Sequence, residues 1–197
     1  CGQIYSQGAK LVNESIESGD IYKAAAWRGA VDYAKEHDGK LHFVGLLSDG
    51  NVHSNISHLI AMLKEAKAEG LKEVRVHALL DGRDVPETSA LTYVDQLENT
   101  IAELNDDTFH ACIASGGGRM VITMDRYEAD WAMVERGWHI HVMGDGRMFT
   151  SAKEAIETYR AEGGYTDQYL PGFVIGNDGV PAGTIDDGDS VILYNFR

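Results

Sequence analysis

Cysteine, proline, long apolar runs and positive charge are all scarce in this sequence of 197 residues. Two cysteines are too few for a disulfide framework, and three prolines beside a hydrophobic content of 44% argue against a disordered chain. The apolar runs reach only about five residues, which is too short for a membrane span. The net charge of −14 makes nucleic acid and anionic membranes unfavourable partners.

The ends of the chain and its cysteines carry few signals of their own. No secretory signal opens the sequence, and we therefore expect a cytoplasmic protein. The chain begins at Cys1 without an initiator Met and stops at Arg197 directly after an apolar run, so we expect an excised domain. Cys112 lies within an apolar run, which favours a small core residue over a reactive thiol.

What is present is an alternation of strand-like apolar runs and segments with helical period. This order predicts a three-layer α/β/α fold with a mainly parallel sheet, as a single domain over residues 1–197. Gly-Asn-Asp-Gly at 176–179 predicts a hairpin turn. The predicted strands cover residues 43–47, 74–80, 110–114, 139–143 and 190–196. The predicted helices cover residues 9–18, 22–27, 56–69, 86–104, 125–136 and 151–162.

Polar and charged residues follow three successive strands at the point where each strand ends. They are Ser48-Asp-Gly-Asn-Val-His53, Asp81-Gly-Arg-Asp84 and Ser115-Gly-Gly-Gly-Arg119. The carboxyl ends of parallel strands meet at one edge of a sheet, where helix N-termini and loops bind ligands. Because a guanidinium group pairs bidentately with phosphate or carboxylate, arginines at this edge predict an anion pocket. Of nine arginines in this acidic chain, four lie at the strand exits or the chain end: Arg83, Arg119, Arg126 and Arg197.

Taken singly, each of these motifs also has an ordinary structural explanation. Asp-Gly is a common turn, Arg83 and Asp84 would make a usual surface pair, and His53 would suit a capping role. The glycines at 116–118 would let a loop approach another segment closely. They are followed by neither the lysine of a Walker A motif nor the third glycine of a dinucleotide fingerprint. The coincidence of three such exits is what favours a site.

Other polar and aromatic groups favour structural roles. His139 and His141 alternate along a predicted strand, which indicates a packed pair on one side of the sheet. Trp131 and Trp138 are predicted to be core or helix-covering aromatics. The acidic stretch 186–189 lacks the spacing of a calcium loop and favours a turn. His53 and His58 have no matching cysteine or carboxylate partners, so we predict no metal site in this chain.

Four ordered motifs carry a resemblance to a known family. They are Leu47-Ser-Asp-Gly-Asn-Val-His-Ser54, Val76-His-Ala-Leu-Leu-Asp-Gly-Arg-Asp84, Ser115-Gly-Gly-Gly-Arg-Met120 followed by Thr123-Met-Asp-Arg-Tyr127, and Asp189-Ser-Val-Ile-Leu-Tyr-Asn-Phe-Arg197. Across essentially all of its 197 residues the chain resembles the inserted, substrate-binding (transferase) domain of cofactor-independent phosphoglycerate mutases, the 2,3-bisphosphoglycerate-independent enzymes. The opening Cys1-Gly-Gln-Ile-Tyr5 resembles the first hinge between the two domains of that family, without its arginine.

The resemblance implies that the reaction is divided between two domains. In the family, an outer, alkaline-phosphatase-like domain carries two manganese (or magnesium) ions and a serine that is transiently phosphorylated. The inserted domain binds 3-phosphoglycerate or 2-phosphoglycerate while phosphate passes to the serine and back, an isomerase reaction of glycolysis and gluconeogenesis. This chain would then hold no cofactor itself and would act with the metal-binding domain of the same polypeptide. It would be a monomer, inactive alone.

The family's binding residues carry over to matching positions of this sequence. His53 would hydrogen-bond the carboxylate or phosphate of the ligand, and Asp84 would be the catalytic group that exchanges protons with its hydroxyls. Arg119 and Arg126 lie seven residues apart, one more than in the commonest family pattern. The different-class alternative is a non-catalytic module that binds a phosphorylated metabolite, and the neighbouring enzyme alternative is a phosphatase or phosphopentomutase. The implied substrate-binding set is His53, Arg83, Asp84, Arg119, Arg126 and Arg197.

Overall fold

The computed structural model describes residues 6–197, and the hinge-like segment 1–5 lies outside the described residues. Seven strands form one sheet in the order β4-β5-β3-β2-β1-β7, with β6 paired to β5 as a hairpin. The strands are β1 Leu41–Leu47, β2 Glu73–Leu80, β3 His110–Gly118, β4 Met148–Phe149, β5 Phe173–Asn177, β6 Val180–Pro181 and β7 Ser190–Leu193. The helices are α1 Gly8–Glu17, α2 Ala25–Glu36, α3 Ile56–Ala68, α4 Ala90–Leu104, α5 Trp131–His141 and α6 Ala152–Gly163.

The centre of the sheet is parallel, as the order of elements predicts. β1 pairs in parallel with β2 and β7, and β2 pairs in parallel with β3. All seven residues of β1 are buried, which is typical of a parallel strand covered on both faces. The fold class, a single α/β domain with a mainly parallel sheet, is confirmed. The antiparallel pairs are β3 with β5 and, in the predicted hairpin, β5 with β6, whereas β4 pairs in parallel with β5.

The two faces of the sheet bury separate apolar clusters. Successive strand residues point to opposite faces, so Leu47 belongs to the larger cluster and Leu46 to the smaller one. The larger cluster packs under α2, α3, α4 and α6; Trp27 of α2, for example, stacks on Phe43. The smaller cluster packs under α5, through Ile140. Among residues 6–197, no helix combines the length and apolarity needed to cross a membrane.

Local signals account for where several helices begin and end. The Asn55 side chain accepts a hydrogen bond from the Ser57 N–H at the start of α3, and Gly70 has a φ of 83° just beyond its end. Ser151 caps α6 through the N–H of Glu154. The fourth helix begins later than predicted, at Ala90, because Pro86 and the residues after it form a turn.

The segment 115–118, predicted as a loop, belongs to β3. Its glycines allow other segments to approach closely: a Cβ at Gly116 would lie 2.5 Å from the ring of Phe173, which belongs to the neighbouring β5. The exit of β3 therefore begins at Arg119. The last strand ends at Leu193, three residues before its predicted end.

The region 125–143 is the largest departure from prediction. The helix predicted at 125–136 begins at Trp131, and the strand predicted at 139–143 is the last part of this helix, α5. His139 and His141 therefore do not share one side of a strand. Trp131 and Trp138 are 64% and 61% exposed, so the prediction of core aromatics at these positions is wrong. Cys112 is half-buried rather than fully buried.

Candidate functional site

The exits of the four parallel strands β7, β1, β2 and β3 meet at one edge of the sheet and line a cavity of about 860 Å³. This volume lies within the usual range for small-molecule sites, roughly 300–1,000 Å³. Residues predicted from four separate stretches of sequence line this single cavity. They are His53, Arg83, Asp84, Arg119, Arg126 and Arg197.

Asp81 is a buried carboxylate that organises the strand exits beneath the cavity. One of its oxygens accepts hydrogen bonds from the N–H groups of Arg83 (3.2 Å) and Asp84 (3.0 Å). The other accepts the Ser48 hydroxyl at 2.6 Å. Burial alone would raise the pKa of Asp81, but hydrogen bonds from Asp84, Ser48 and Arg119 outweigh burial and lower it. Asp81 is therefore a fixed anion at neutral pH.

Arg119 is held between two carboxylates. Its Nη1 atom lies 2.8 Å from Asp81 Oδ1 and 2.7 Å from Asp84 Oδ2. The Arg119 side chain is almost fully buried, and it forms an internal ion pair with Asp81 and Asp84 that orients Asp84. In the part of the chain that the structure describes, Asp84 Oδ1 accepts no hydrogen bond and is available to a hydroxyl of a bound ligand.

The Asp-Gly turn after β1 brings His53 and Asp84 together. A Cβ at Gly50 would lie only 2.8 Å from the Cβ of Asp84, so glycine permits this approach. His53 Nε2 lies 3.8 Å from Asp84 Oδ2. The pKa of His53 is lowered, first by burial and then by the positive charge of Arg119, while Asp84 opposes this shift. The neutral ring can donate one hydrogen bond and accept another.

The exit of β7 is attached to the exit of β1, which brings Arg197 to the cavity. The Phe196 N–H donates to the His53 carbonyl at 2.8 Å, and Asn195 Oδ1 accepts the Leu46 N–H at 3.0 Å. Arg197 itself is exposed at the cavity wall.

The segment between β3 and α5, residues 119–130, is the arginine loop. It brings Arg126 to the same cavity as Arg83, and both residues are exposed. Arg126 stacks on the ring of Tyr127 at 4.6 Å and donates to its hydroxyl. Among residues 6–197, Arg83 has one side-chain hydrogen bond, to the sulfur of Met120 at 3.9 Å. Two arginines are thus presented with few competing partners.

Sequence reasoning missed several residues that build the site. The sequence places Asp81 in a common Asp-Gly turn, and its position two residues before Arg83 also suits an acceptor of backbone N–H groups. The Tyr93 hydroxyl, from α4, donates to Asp49 Oδ1 at 2.5 Å and fixes the β1 exit. No local pattern pairs Tyr93 with Asp49, which are 44 residues apart.

The remaining candidate groups lie away from the cavity. The acidic stretch 186–189 forms the predicted turn. His58 Nε2 lies 2.5 Å from Asn13 Oδ1, in an ordinary packed contact. Within residues 6–197, no group of three or more His, Cys, Asp or Glu side chains is arranged to hold a metal ion.

Together, the fold and the cavity define an α/β domain with an arginine-lined cavity at the carboxyl ends of its parallel strands. Residues 12–197 match the family model described as BPG-independent PGAM N-terminus, and the chain belongs to this family.

The chain is also similar to longer proteins. The chain is 56% identical over 197 residues to a probable 2,3-bisphosphoglycerate-independent phosphoglycerate mutase of Leptospira interrogans, covering 100% of this chain and 36% of the relative. It is 50% identical over 198 residues to the 2,3-bisphosphoglycerate-independent phosphoglycerate mutase of Trypanosoma brucei brucei, with the same coverage of 100% and 36%. A crystal structure of Leishmania mexicana phosphoglycerate mutase at low cobalt concentration is similar with a TM-score of 0.97 and 48% identity, over 100% of this chain and 36% of that one. The chain thus spans about a third of the length of these relatives.

Proposed function

We propose that this chain binds and orients 3-phosphoglycerate and 2-phosphoglycerate in a 2,3-bisphosphoglycerate-independent phosphoglycerate mutase. The observation that carries the proposal is the convergence of Arg83, Arg126 and Arg197 with Asp84 on one cavity of a strongly acidic member of this family. In the whole enzyme, phosphate would pass to a serine of another domain and back to the other hydroxyl, a step of glycolysis and gluconeogenesis in the cytoplasm. The polypeptide would act as a monomer.

The chemistry of the cavity suits such a ligand. A phosphoglycerate carries a phosphate and a carboxylate, and planar guanidinium groups bind both through paired hydrogen bonds. The same positive charges would stabilise the charge that develops on the phosphoryl oxygens during transfer. Asp84 would exchange a proton with the ligand hydroxyls through the oxygen that Arg119 leaves open. His53 would donate a hydrogen bond to the carboxylate or phosphate.

The manganese pair of the family would lie in the rest of the polypeptide. The described residues 6–197 offer no cluster of ligands that fits such a pair. The residues of this chain would instead bind, orient and exchange protons.

An NMR titration with 3-phosphoglycerate tests the binding proposal. We expect the signals of His53, Arg83, Asp84 and Arg126 to shift together with one dissociation constant, since these residues share one cavity. The side-chain signal of Arg147, which pairs with Glu162 outside the cavity, should not shift.

Two comparison ligands give the titration its specificity. Glucose 6-phosphate has a phosphate but no carboxylate, and we expect it to bind much more weakly than either phosphoglycerate. Equal affinity for all three ligands would favour the non-catalytic module for phosphorylated metabolites. Shifts confined to residues outside the cavity would contradict the proposed site.

The chain alone is expected to lack mutase turnover, because the serine and the metal ions would belong to another domain. The measurement is a coupled assay for 2-phosphoglycerate with 3-phosphoglycerate and Mn²⁺ present. An Asp84→Asn variant purified in parallel is the control for mutase carried over from the expression host. Turnover that scales with the chain and disappears in Asp84→Asn would show that the chain is active by itself.

A further inference from the structure

A line of buried polar side chains crosses the sheet on the face that packs under α5. Asp189 lies before β7, His42 on β1, His77 on β2, Ser115 on β3 and His141 at the end of α5. The three imidazoles and Ser115 are each no more than 5% exposed. None of these side chains lines the cavity. The line ends at Thr123, in the middle of the arginine loop.

Five hydrogen bonds connect the line without a break. His42 Nε2 lies 3.0 Å from Asp189 Oδ2, and His42 Nδ1 lies 2.9 Å from His77 Nε2. His77 Nδ1 lies 2.6 Å from Ser115 Oγ, which lies 2.7 Å from His141 Nδ1.

His141 Nε2 completes the line 3.1 Å from Thr123 Oγ1. A continuous chain of hydrogen bonds thus runs along one face of the sheet, from the carboxylate before β7 to the arginine loop after β3.

The carboxylate determines the direction of every hydrogen bond in the line. Ionised Asp189 can only accept, so His42 must donate from Nε2. A neutral His42 then accepts at Nδ1 from His77 Nε2–H, and His77 accepts at Nδ1 from the Ser115 hydroxyl.

The same rule fixes the far end of the line. The Ser115 oxygen accepts from His141 Nδ1–H, and His141 Nε2 accepts from the Thr123 hydroxyl. These hydrogen-bond directions require that all three imidazole rings are neutral. Burial lowers the pKa of His141 to about 4, and it also lowers the pKa values of His77 and His42.

The backbone of Thr123 has an unusual conformation that its surroundings must stabilise. Its φ of 69° lies in the left-handed region, which is unusual for a β-branched residue and persists only where the surroundings hold it. The Thr123 N–H donates to the Met133 carbonyl at 3.1 Å, and the hydroxyl contacts His141. A Cβ at Gly137 would lie 2.2 Å from Thr123 Oγ1, so α5 packs directly on this residue.

We propose that His141 is a positioning residue for the arginine loop, and that Asp189 sets its tautomer through His42, His77 and Ser115. The hydroxyl of Thr123 donates to the Nε2 lone pair of His141, which fixes the loop between Arg119 and Arg126. The role in ligand binding rests on the proposed function, whereas the tautomers do not.

Two-bond ¹H–¹⁵N NMR spectra of the histidine rings at pH 7 test the proposal directly. We expect His42 and His77 to carry the proton on Nε2 and His141 to carry it on Nδ1. A proton on Nε2 of His141, or a charged ring at any of the three positions, would overturn the inference.

Two carboxylates of the same turn, Asp189 and Asp186, provide a test variant and a matched control for the effect of Asp189 on the His141 tautomer. In Asp189→Asn the side-chain amide can donate as well as accept, so His42 no longer has to donate from Nε2. We therefore expect His141 to populate its Nε2–H tautomer as well. Asp186→Asn removes the same charge beside Lys40 without touching His42, and it should leave His141 unchanged. A pure Nδ1–H tautomer of His141 in both variants would refute control by Asp189.

Ser115→Ala removes the hydroxyl in the middle of the line, and it provides a second test of the inference if Asp189→Asn does not fold. His42 and His77 should keep their tautomers because Asp189 still determines them, while His141 should lose its single tautomer. A His141 that keeps the Nδ1–H form without Ser115 would equally refute the inference.

The positioning role is tested with Thr123→Val and Thr123→Ser. Thr123→Val keeps the shape and removes the donor, and we expect about fivefold weaker 3-phosphoglycerate binding and shifted backbone signals across 119–130. Thr123→Ser keeps the hydroxyl and should restore both. Unchanged loop signals in Thr123→Val would contradict the positioning role. Wild-type protein that binds no phosphoglycerate would instead contradict the proposed function and leave the tautomer and loop tests intact.

Discussion

Replacing Asp81 with alanine is expected to lower the free energy of unfolding by about 3 kcal/mol, the size typical of breaking a buried ion pair by removing one partner. Asp81 is 2% exposed, and four donors converge on it: the Ser48 hydroxyl, Arg119 and two backbone N–H groups. Without the carboxylate, the Ser48 hydroxyl and the two backbone N–H groups lose this acceptor, and Arg119 keeps only Asp84 as a partner. Urea unfolding followed by circular dichroism measures the change.

Asp84→Ala is the matched control for Asp81→Ala. Asp84 also pairs with Arg119, but it is partly exposed and accepts no backbone N–H from residues 6–197. We therefore expect a loss of about 1 kcal/mol or less, as for partly exposed ion pairs. Equal losses of unfolding free energy from the two substitutions would show that Asp81 does not stabilise the fold more than Asp84 does.

The pH dependence of the same comparison follows from the pKa of Asp81. Hydrogen bonds from Asp84, Ser48 and Arg119 outweigh burial, so the pKa in the folded state lies below its ordinary value. Such a carboxyl contributes stability above its unfolded pKa of about 3.9 and loses it as the pH falls through the folded value. The difference between wild type and Asp81→Ala should be constant from about pH 5 to 8 and shrink below about pH 4.

The strand exits could be predicted from sequence because two local signals coincide there. A buried parallel strand gives a continuous apolar run, and the Asp-Gly turns after β1 and β2 end those runs sharply. Parallel pairing then brings Asp84 and Arg119 to one edge without further information. The position of Arg197 follows equally from the parallel pairing of β7 with β1.

The part of the chain after β3 could not be predicted because its local pattern is ambiguous. A short apolar run such as 139–143 suits a strand or a buried helix turn equally, and only tertiary packing decides. Here β5 occupies the place beside β3, and the run becomes the end of α5. The same packing exposes Trp131 and Trp138, which lie seven residues apart on one helix face.

The polar line from Asp189 to Thr123 shows a second limit of sequence reasoning. His42 and Asp189 are separated by 147 residues, and His77 and Ser115 by 38. Each residue alone is typical of an ordinary packed polar side chain. Only the register of β1, β2 and β3 shows that they form one line.

The substitution that best isolates ligand binding from folding is Arg83→Gln. Arg83 is exposed, and its one side-chain hydrogen bond within the described residues is the weak contact with Met120. Loss of the Arg83 side chain should therefore leave the free energy of unfolding nearly unchanged. A charge-assisted hydrogen bond to the ligand contributes about 1.5–3 kcal/mol. We therefore expect 3-phosphoglycerate to bind roughly 10- to 100-fold more weakly, as measured by isothermal titration calorimetry.

Arg147→Gln is the matched control for Arg83→Gln. It removes the same charge from the same acidic protein but from a site outside the cavity, where Arg147 pairs with Glu162 and stacks on Phe149. Affinity should then change less than about twofold, because exposed charges at a distance are screened by salt. If both variants bind alike, attraction by overall charge rather than a built arginine site would explain the binding. An Arg83→Lys variant separates the effect of charge from that of geometry. It keeps the charge without the planar guanidinium group, so it should retain only part of the affinity.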